Sequence, residues 1–135
     1  MSFTAPPSAR RRAFGILPLA WAALVLGLTL APARAMPEVP PWELISFDTA
    51  AHAFVFFVLA VLSYFSAQRQ PPGHWLRQYA FGFTLAGGLL FGALIEVLQT
   101  SMHLGRQGEW SDVAGDAIGT LLGLASMHIV RRWWA

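Results

Sequence analysis

Four apolar runs, each long enough for a membrane-spanning helix, constrain the fold more than any other feature of the sequence. A bilayer core about 30 Å thick requires about 20 apolar helical residues. The runs cover residues 14–31, 47–67, 79–100 and 113–130 and are apolar nearly all round, unlike the amphipathic helices of soluble proteins. Lipid admits only helices or closed barrels, and these runs are too long and uniform for barrel strands. The sequence therefore predicts an all-α, integral membrane four-helix bundle.

The composition agrees with this fold class. Hydrophobic residues make up 56% of the 135 residues and charged residues only 12%, whereas a soluble domain carries about 25% charged residues. Cysteine is absent, which excludes disulfides, thiol nucleophiles and iron–sulfur clusters. We divide the chain into an N-terminal tail, residues 1–13, and one membrane domain, residues 14–132.

The placement of the nine basic residues, all of them arginine, predicts the orientation of the chain. Seven lie before the first run, between the second and third runs, or after the fourth run, and the other two lie on the opposite side. The seven are Arg10, Arg11, Arg12, Arg69, Arg77, Arg131 and Arg132, and the two are Arg34 and Arg106. The positive-inside rule then places both termini in the cytoplasm. The positive charge is explained by topology, so no nucleic-acid partner is predicted.

The first run is also compatible with a secretory signal. Arginines precede it, and Ala33-Arg34-Ala35 after it is similar to an A-x-A cleavage site. The run is longer than the 7–15 residues, roughly, of a typical signal core. We therefore favour a retained membrane anchor, and the other three helices keep the same orientation in either case.

Three pairs of polar residues gather at the ends of the runs that face the outer side. Each pair is spaced by three or four residues, so its members share one helix face. The second run enters from the outer side, the third leaves there and the fourth re-enters, so the pairs are expected at similar depth in one outward-facing cleft. The pairs are Asp48 with His52, Glu96 with Gln99, and Asp112 with Asp116. Arg106, in the loop after the third run, is the expected counter-charge.

Small residues continue the same helix faces. Gly88 and Gly92 precede Glu96 at steps of four residues, and Gly115, Gly119 and Gly123 form a second stripe in the fourth run. Such stripes let helix backbones approach closely in lipid. We expect the third and fourth helices to pack along these glycines and to present their carboxylates to a shared cleft.

The polar residues leave several roles open. Asp48 and Asp112 are also compatible with helix N-terminal acids, and His52 with an interhelical hydrogen bond. Glu96 is the strongest functional candidate, because a carboxylate inside an apolar run is costly. One histidine with several carboxylates could bind a metal, but no established metal-binding motif is present, so neither a metal site nor a cofactor is predicted. The same groups could act as acid and base on a lipid-linked substrate.

Three segments resemble the motifs of one family of small multi-pass membrane proteins. Asp48-Thr49-Ala50-Ala51-His52 is similar to D-K/R-x-x-H, and residues 92–99 are similar to G-x-x-x-E-x-x-Q. Residues 106–112, followed by Asp116, Gly119 and Gly123, are similar to R-x₅-D-x₃-N-x₂-G-x₃-G. These motifs are those of the VanZ-like family, named for an accessory glycopeptide-resistance protein. Thr49 stands where the family usually has a basic residue, and Asp116 where it usually has asparagine.

The resemblance implies a multi-pass protein of the bacterial cytoplasmic membrane and cell envelope. The best-known family member lowers susceptibility to a lipoglycopeptide antibiotic. We therefore expect a non-enzymatic protein, in contact with the lipid bilayer, whose outer polar cleft engages a lipid-linked or amphiphilic envelope molecule. Two alternatives remain open: a membrane-embedded enzyme with Glu96 or His52 as acid or base, and a structural helix module that binds a partner protein through its glycine stripe.

Overall fold

The computed structural model describes residues 7–30, 41–102 and 110–134, and all its regular secondary structure is helical over these ranges. The helices are listed in chain order: α1 (Pro7–Thr29), α2 (Pro41–Gln68), α3 (Trp75–Gln78), α4 (Ala80–Ser101) and α5 (Trp110–Trp134). Side chains are described for residues 15–30, 49–102 and 111–133. The prediction of an all-α fold is confirmed for this part of the chain.

The short helix α3 was not predicted from the sequence. It follows a turn at Gly73, whose φ of +86° is readily available only to glycine. His74 caps the helix, because its Nδ1 accepts a hydrogen bond from the backbone N–H of Leu76 at 3.2 Å. The turn and α3 connect α2 to α4 at one end of the molecule.

Among the residues whose side chains the structure describes, three helices are long and apolar enough to cross a membrane, over Thr49–Gln68, Ala80–Ser101 and Ser111–Trp133. The described apolar part of α1, Gly15–Thr29, is shorter. Large apolar side chains cover the outward faces; Leu90, for example, is 72% exposed. Such a surface is unfavourable in water and compatible with a lipid bilayer. The fourth span and the location of the termini stay predictions.

Helices α2 and α5 run parallel and form the most extensive contact between the described helices. A Cβ added at Gly115 would lie 2.8 Å from the carbonyl oxygen of Thr49, and one at Gly123 would lie 2.7 Å from that of Phe57. Since both numbers rise together, the two helices start at the same end. We call this the acidic end, where α2 and α5 begin and α4 ends.

Helix α4 runs antiparallel to α5 and packs on a different face of it. Gly88 lies against the side chain of Thr120, and Gly92 lies against that of Asp116. Thr120 and Asp116 each follow a glycine of the α5 stripe by one position, which is about 100° around the helix. One face of α5 therefore meets α2 and the adjacent face meets α4.

This arrangement corrects the expected role of the second glycine stripe. Gly115, Gly119 and Gly123 pack against α2, not against α4 as expected. The backbone of α2 approaches so closely that its carbonyl groups occupy the space of a side chain on these residues. Of the glycines that the structure describes, Gly88 and Gly92 are those that lie at the contact between the third and fourth predicted spans.

Among the described residues, two apolar clusters lie in the interior. One joins α1, α2 and α4 through Val25, Phe56, Leu59 and Ile95. The other joins α2, α4 and α5 farther from the acidic end, through Tyr64, Ala67, Ala80, Leu124 and Met127. Helix α1 is also held by the indole of Trp21, whose Nε1 donates a hydrogen bond to the backbone oxygen of Val55 at 2.8 Å. Burying this polar indole group is favourable because its donor is satisfied.

Candidate functional site

His52 and Asp116 form the centre of a buried polar cluster between α2 and α5. His52 Nδ1 and Asp116 Oδ1 are 2.6 Å apart, and the two side chains are only 4% and 2% exposed. At this distance one proton lies between the two atoms, and the hydrogen bond fixes the orientation of the ring. The close α2–α5 packing at Gly115 and Gly119 brings the two residues together.

Asp112 lies on the other side of the same imidazole. Its Oδ2 is 3.8 Å from His52 Nε2, and the residue is buried. Asp112 and Asp116 are one helical turn apart, so they share the face of α5 that meets His52. The ring is thus placed between two carboxylates.

Glu96 brings a third carboxylate to the cluster from α4. Both of its carboxylate oxygens are buried. A ring nitrogen of His52 and one oxygen each of Glu96 and Asp116 all lie within 4.8 Å of one another. Three helices therefore contribute to one site near the acidic end, as the spacing of the polar residues predicted for His52, Glu96 and Asp116.

The hydrogen bond that the structure describes for Gln99 lies outside the cluster. Its Nε2 donates to the backbone oxygen of Thr29 at 2.7 Å. This carbonyl belongs to the last turn of α1, where carbonyl groups lack partners within the helix. Gln99 therefore joins α4 to the end of α1, although it shares a helix face with Glu96.

The structure does not describe the side chains of two predicted site residues. Asp48 belongs to α2, one turn before His52, but its side chain lies outside the described residues. Arg106 lies outside them altogether. Its proposed role as the counter-charge of the cluster stays a prediction.

Gly92 gives Asp116 the space to reach His52. A Cβ at position 92 would lie 2.7 Å from Asp116 Oδ2. The backbone of Asp116 accepts a further hydrogen bond, which Thr120 Oγ1 donates to its carbonyl oxygen at 2.8 Å. The glycine is thus part of the site as well as of the helix contact.

An apolar cavity of about 380 Å³ lies between α1, α2 and α4, and its lining begins one helical turn from the cluster. Its lining includes Phe56 and Thr120, each one turn beyond His52 and Asp116, and the small residues Ala60 and Gly87. Sequence reasoning missed this cavity because it depends on how the helices are arranged. The small residues at Ala60 and Gly87 were the available signal.

The fold and site thus define a chain that is helical over its described ranges and suited to a bilayer, with a cluster of ionisable side chains buried near one end. No protein-family model matches the chain, and no curated protein or solved structure matches it either. Its function is therefore inferred from the geometry of the site and from the motifs in the sequence.

Proposed function

We propose that this protein is a VanZ-like, four-span protein of the bacterial cytoplasmic membrane that binds a lipid-linked or amphiphilic envelope molecule. The observation that carries the proposal is an apolar cavity whose lining begins one helical turn from His52 and Asp116 and extends toward the opposite end of the helices. The arginine distribution supports an acidic end that faces outward, with both termini in the cytoplasm. A lipoglycopeptide antibiotic is one molecule of this chemistry.

The two parts of the site match the two parts of an amphiphile. The cluster of His52, Glu96 and Asp116 would bind the polar group, and the adjacent cavity would accept an acyl or prenyl chain. A volume of about 380 Å³ lies within the range of small-molecule sites, about 300–1,000 Å³. Ionisable groups in a membrane domain are costly and are commonly retained for function.

The cavity can be tested with two matched glycine substitutions in α4. Gly87 lines the cavity and Gly82 does not, and a Cβ at either position would meet no atom within 4 Å. Gly87→Leu should therefore place its side chain in the cavity, while Gly82→Leu makes the same change outside it. We expect Gly87→Leu to weaken binding of a fluorescent polyprenyl phosphate in detergent micelles and Gly82→Leu to leave it unchanged. Equal binding by both variants would contradict the proposed chain site.

Glu96→Gln tests the polar part of the site. The substitution keeps the volume and hydrogen-bonding capacity of the side chain but removes its ionisable group. We expect a normal protein level in the membrane, with loss of probe binding and of growth under lipoglycopeptide stress. Full activity of this variant would remove the chemical role of the carboxylate and would favour the structural-module alternative.

A second candidate function is catalysis on a lipid-linked substrate, favoured by the bond between Asp116 and His52. A carboxylate that binds one ring nitrogen orients the other for proton transfer in many enzymes. Here Nε2 is buried and makes no hydrogen bond with the described residues. The enzyme hypothesis requires substrate turnover that Asp116→Asn reduces while probe binding is retained. A protein that only binds would yield no product in the same assay.

A further inference from the structure

The largely apolar cavity between α1, α2 and α4 also carries hydroxyl groups at its end away from the polar cluster. These are the side chains of Ser63 and Ser66 in α2 and of Thr84 in α4. Ser66 is 6% exposed and Thr84 is 4% exposed. The wall around them is apolar and includes Leu59 and Phe83. A ligand of this part of the cavity therefore meets hydrogen-bond donors as well as apolar surface.

The hydroxyl group of Thr84 is buried and makes no hydrogen bond with a described residue. Thr29, Thr120 and Ser126 show the usual arrangement in this protein. Each of these three donates to the backbone oxygen four residues earlier in its own helix, at 2.7 or 2.8 Å. Buried polar groups are nearly always bonded to protein, water or a ligand. The Thr84 hydroxyl therefore indicates an acceptor inside the cavity that does not belong to the described residues.

Thr84 lies at a depth that is typical of lipid ester groups. We call the end opposite the acidic end, where α2 and α5 end and α4 begins, the arginine end, after Arg69, Arg77, Arg131 and Arg132. Helix α4 has 22 residues and is about 33 Å long, close to the hydrocarbon thickness of about 30 Å. Thr84 is about 6 Å along α4 from its first residue. The ester groups that join acyl chains to glycerol lie at this edge of the hydrocarbon.

A lipid with its headgroup at the polar cluster cannot bring its ester groups to Thr84. Glu96 lies about 18 Å farther along α4 than Thr84. The ester groups of a phospholipid lie directly below its headgroup, so a headgroup at Glu96 leaves them far from Thr84. A lipid whose ester group accepts from Thr84 therefore enters the cavity from the arginine end.

The mouth of the cavity at the arginine end is positively charged. Arg77 Nη1 donates to the backbone oxygen of Gln70 at 3.3 Å, and Gln70 lines the cavity. A guanidinium group has five N–H donors, so Arg77 retains donors for a further acceptor. The sequence contains no acidic residue between positions 49 and 95 or after position 116. Arginines at the end of a membrane span favour the phosphate group of an anionic lipid.

We propose that the cavity binds one acyl chain of an ester-linked anionic phospholipid from the leaflet at the arginine end. Arg77 binds the phosphate group, and Thr84 donates a hydrogen bond to the carbonyl oxygen of the ester. The acyl chain lies along the apolar lining toward Phe91. The proposed envelope amphiphile would enter the same cavity from the acidic end, but the phospholipid site requires no residue of the polar cluster.

The test compares two forms of phosphatidylglycerol that differ only in how the chains are linked. One form has ester-linked chains and the other has ether-linked chains of the same length, which lack the carbonyl oxygen. The full chain, purified in detergent, is titrated with each lipid, and bound lipid is measured by native mass spectrometry. We expect the ester form to bind about fivefold more tightly, the effect of one hydrogen bond. Equal affinities in the parent protein would overturn the proposal, whether or not any variant folds.

Thr84→Val tests the donor, because valine keeps the branched shape of threonine but lacks the hydroxyl group. We expect its affinity for the ester form to fall to that for the ether form, while its affinity for the ether form stays at the parent value. Thr100→Val is the matched control, because it makes the same change in α4 at an exposed position outside the cavity lining. It should retain the preference for the ester form. A retained preference in Thr84→Val would overturn the proposed hydrogen bond.

Arg77→Gln tests the contact with the phosphate group. It should weaken binding of both lipid forms by about tenfold or more and leave the ratio between them unchanged. Arg132→Gln removes the same charge at an exposed position at the same end and should weaken binding by less than about twofold. Equal losses in the two variants would overturn the assignment of Arg77. None of these measurements uses polyprenyl phosphate or a residue of the polar cluster, so this proposal and the proposed function can fail separately.

Discussion

Replacing Gly119 by alanine is the most direct perturbation of the contact between α2 and α5. The added methyl carbon would overlap the carbonyl oxygen of Ala53 and would lie 2.8 Å from its carbonyl carbon. Ordinary carbon–carbon contacts are about 3.5–4.0 Å. The obstructing atoms belong to the backbone, so no rotamer change can relieve the overlap. The two helices must therefore move apart by roughly 1 Å.

The expected cost combines two opposing effects. Overpacking a well-packed interior costs about 1–3 kcal/mol, and separation of the helices also stretches the contacts at Gly115 and Gly123. Alanine recovers up to about 1 kcal/mol through its higher helix propensity. We expect a net loss of about 1 kcal/mol in the free energy of unfolding, or roughly a fivefold lower ratio of folded to unfolded protein.

The assay is reversible unfolding in detergent micelles, followed by tryptophan fluorescence and circular dichroism. Gly82→Ala is the control, because it makes the same change at a position in α4 where a Cβ would meet no atom within 4 Å. The control should have the same free energy of unfolding as the parent protein, or a slightly higher one. If Gly119→Ala proved as stable as Gly82→Ala, the close approach of α2 and α5 would be refuted.

Two further predictions concern the end of α1 and the topology. Gln99→Met should lower the free energy of unfolding by about 1 kcal/mol, because methionine has a similar volume but cannot donate the hydrogen bond to the backbone oxygen of Thr29. Gln78 is exposed, so Gln78→Met should leave the free energy of unfolding unchanged. Unfolding in detergent micelles measures both. Reporter fusions after Trp134 should read cytoplasmic and fusions near Arg106 external; the reverse pattern would contradict the arginine-based orientation.

The four long helices were predictable because length and hydropathy are local properties of the sequence. The third apolar run, residues 79–100, differs by one residue at each end from α4, Ala80–Ser101. Helices α1 and α2 begin well before their runs, at Pro7 and Pro41, because a helix continues into polar sequence beyond its apolar part. Proline is favourable in the first turn of a helix, which suits both positions.

The partners of each helix face were not predictable in the same way. A stripe of glycines indicates that the backbone of another helix packs closely against it, but the sequence does not show which helix. Gly119 contacts α2 rather than α4. Likewise, Gln99 and Thr29 are 70 residues apart, so no spacing rule connects them. The grouping of His52 with Asp116 was predictable from the topology alone, since residues near helix ends on the same side of the membrane lie at a similar depth. The short distance between them, by contrast, depends on the helix contact.

The parallel contact of α2 with α5 has a consequence for synthesis of the chain. His52 and Asp116 are separated by 64 positions, so the ribosome completes α2 long before the carboxylate that binds its histidine exists. During this interval α2 can contact only α1 and the helices made after it, and the groove that receives Gly115 and Gly119 stays open to lipid. Insertion of α5 fills the groove and completes the cluster in one step. Assembly of the site therefore waits for α5, and pulse-labelled chains that end before α5 should be degraded faster than chains that contain it.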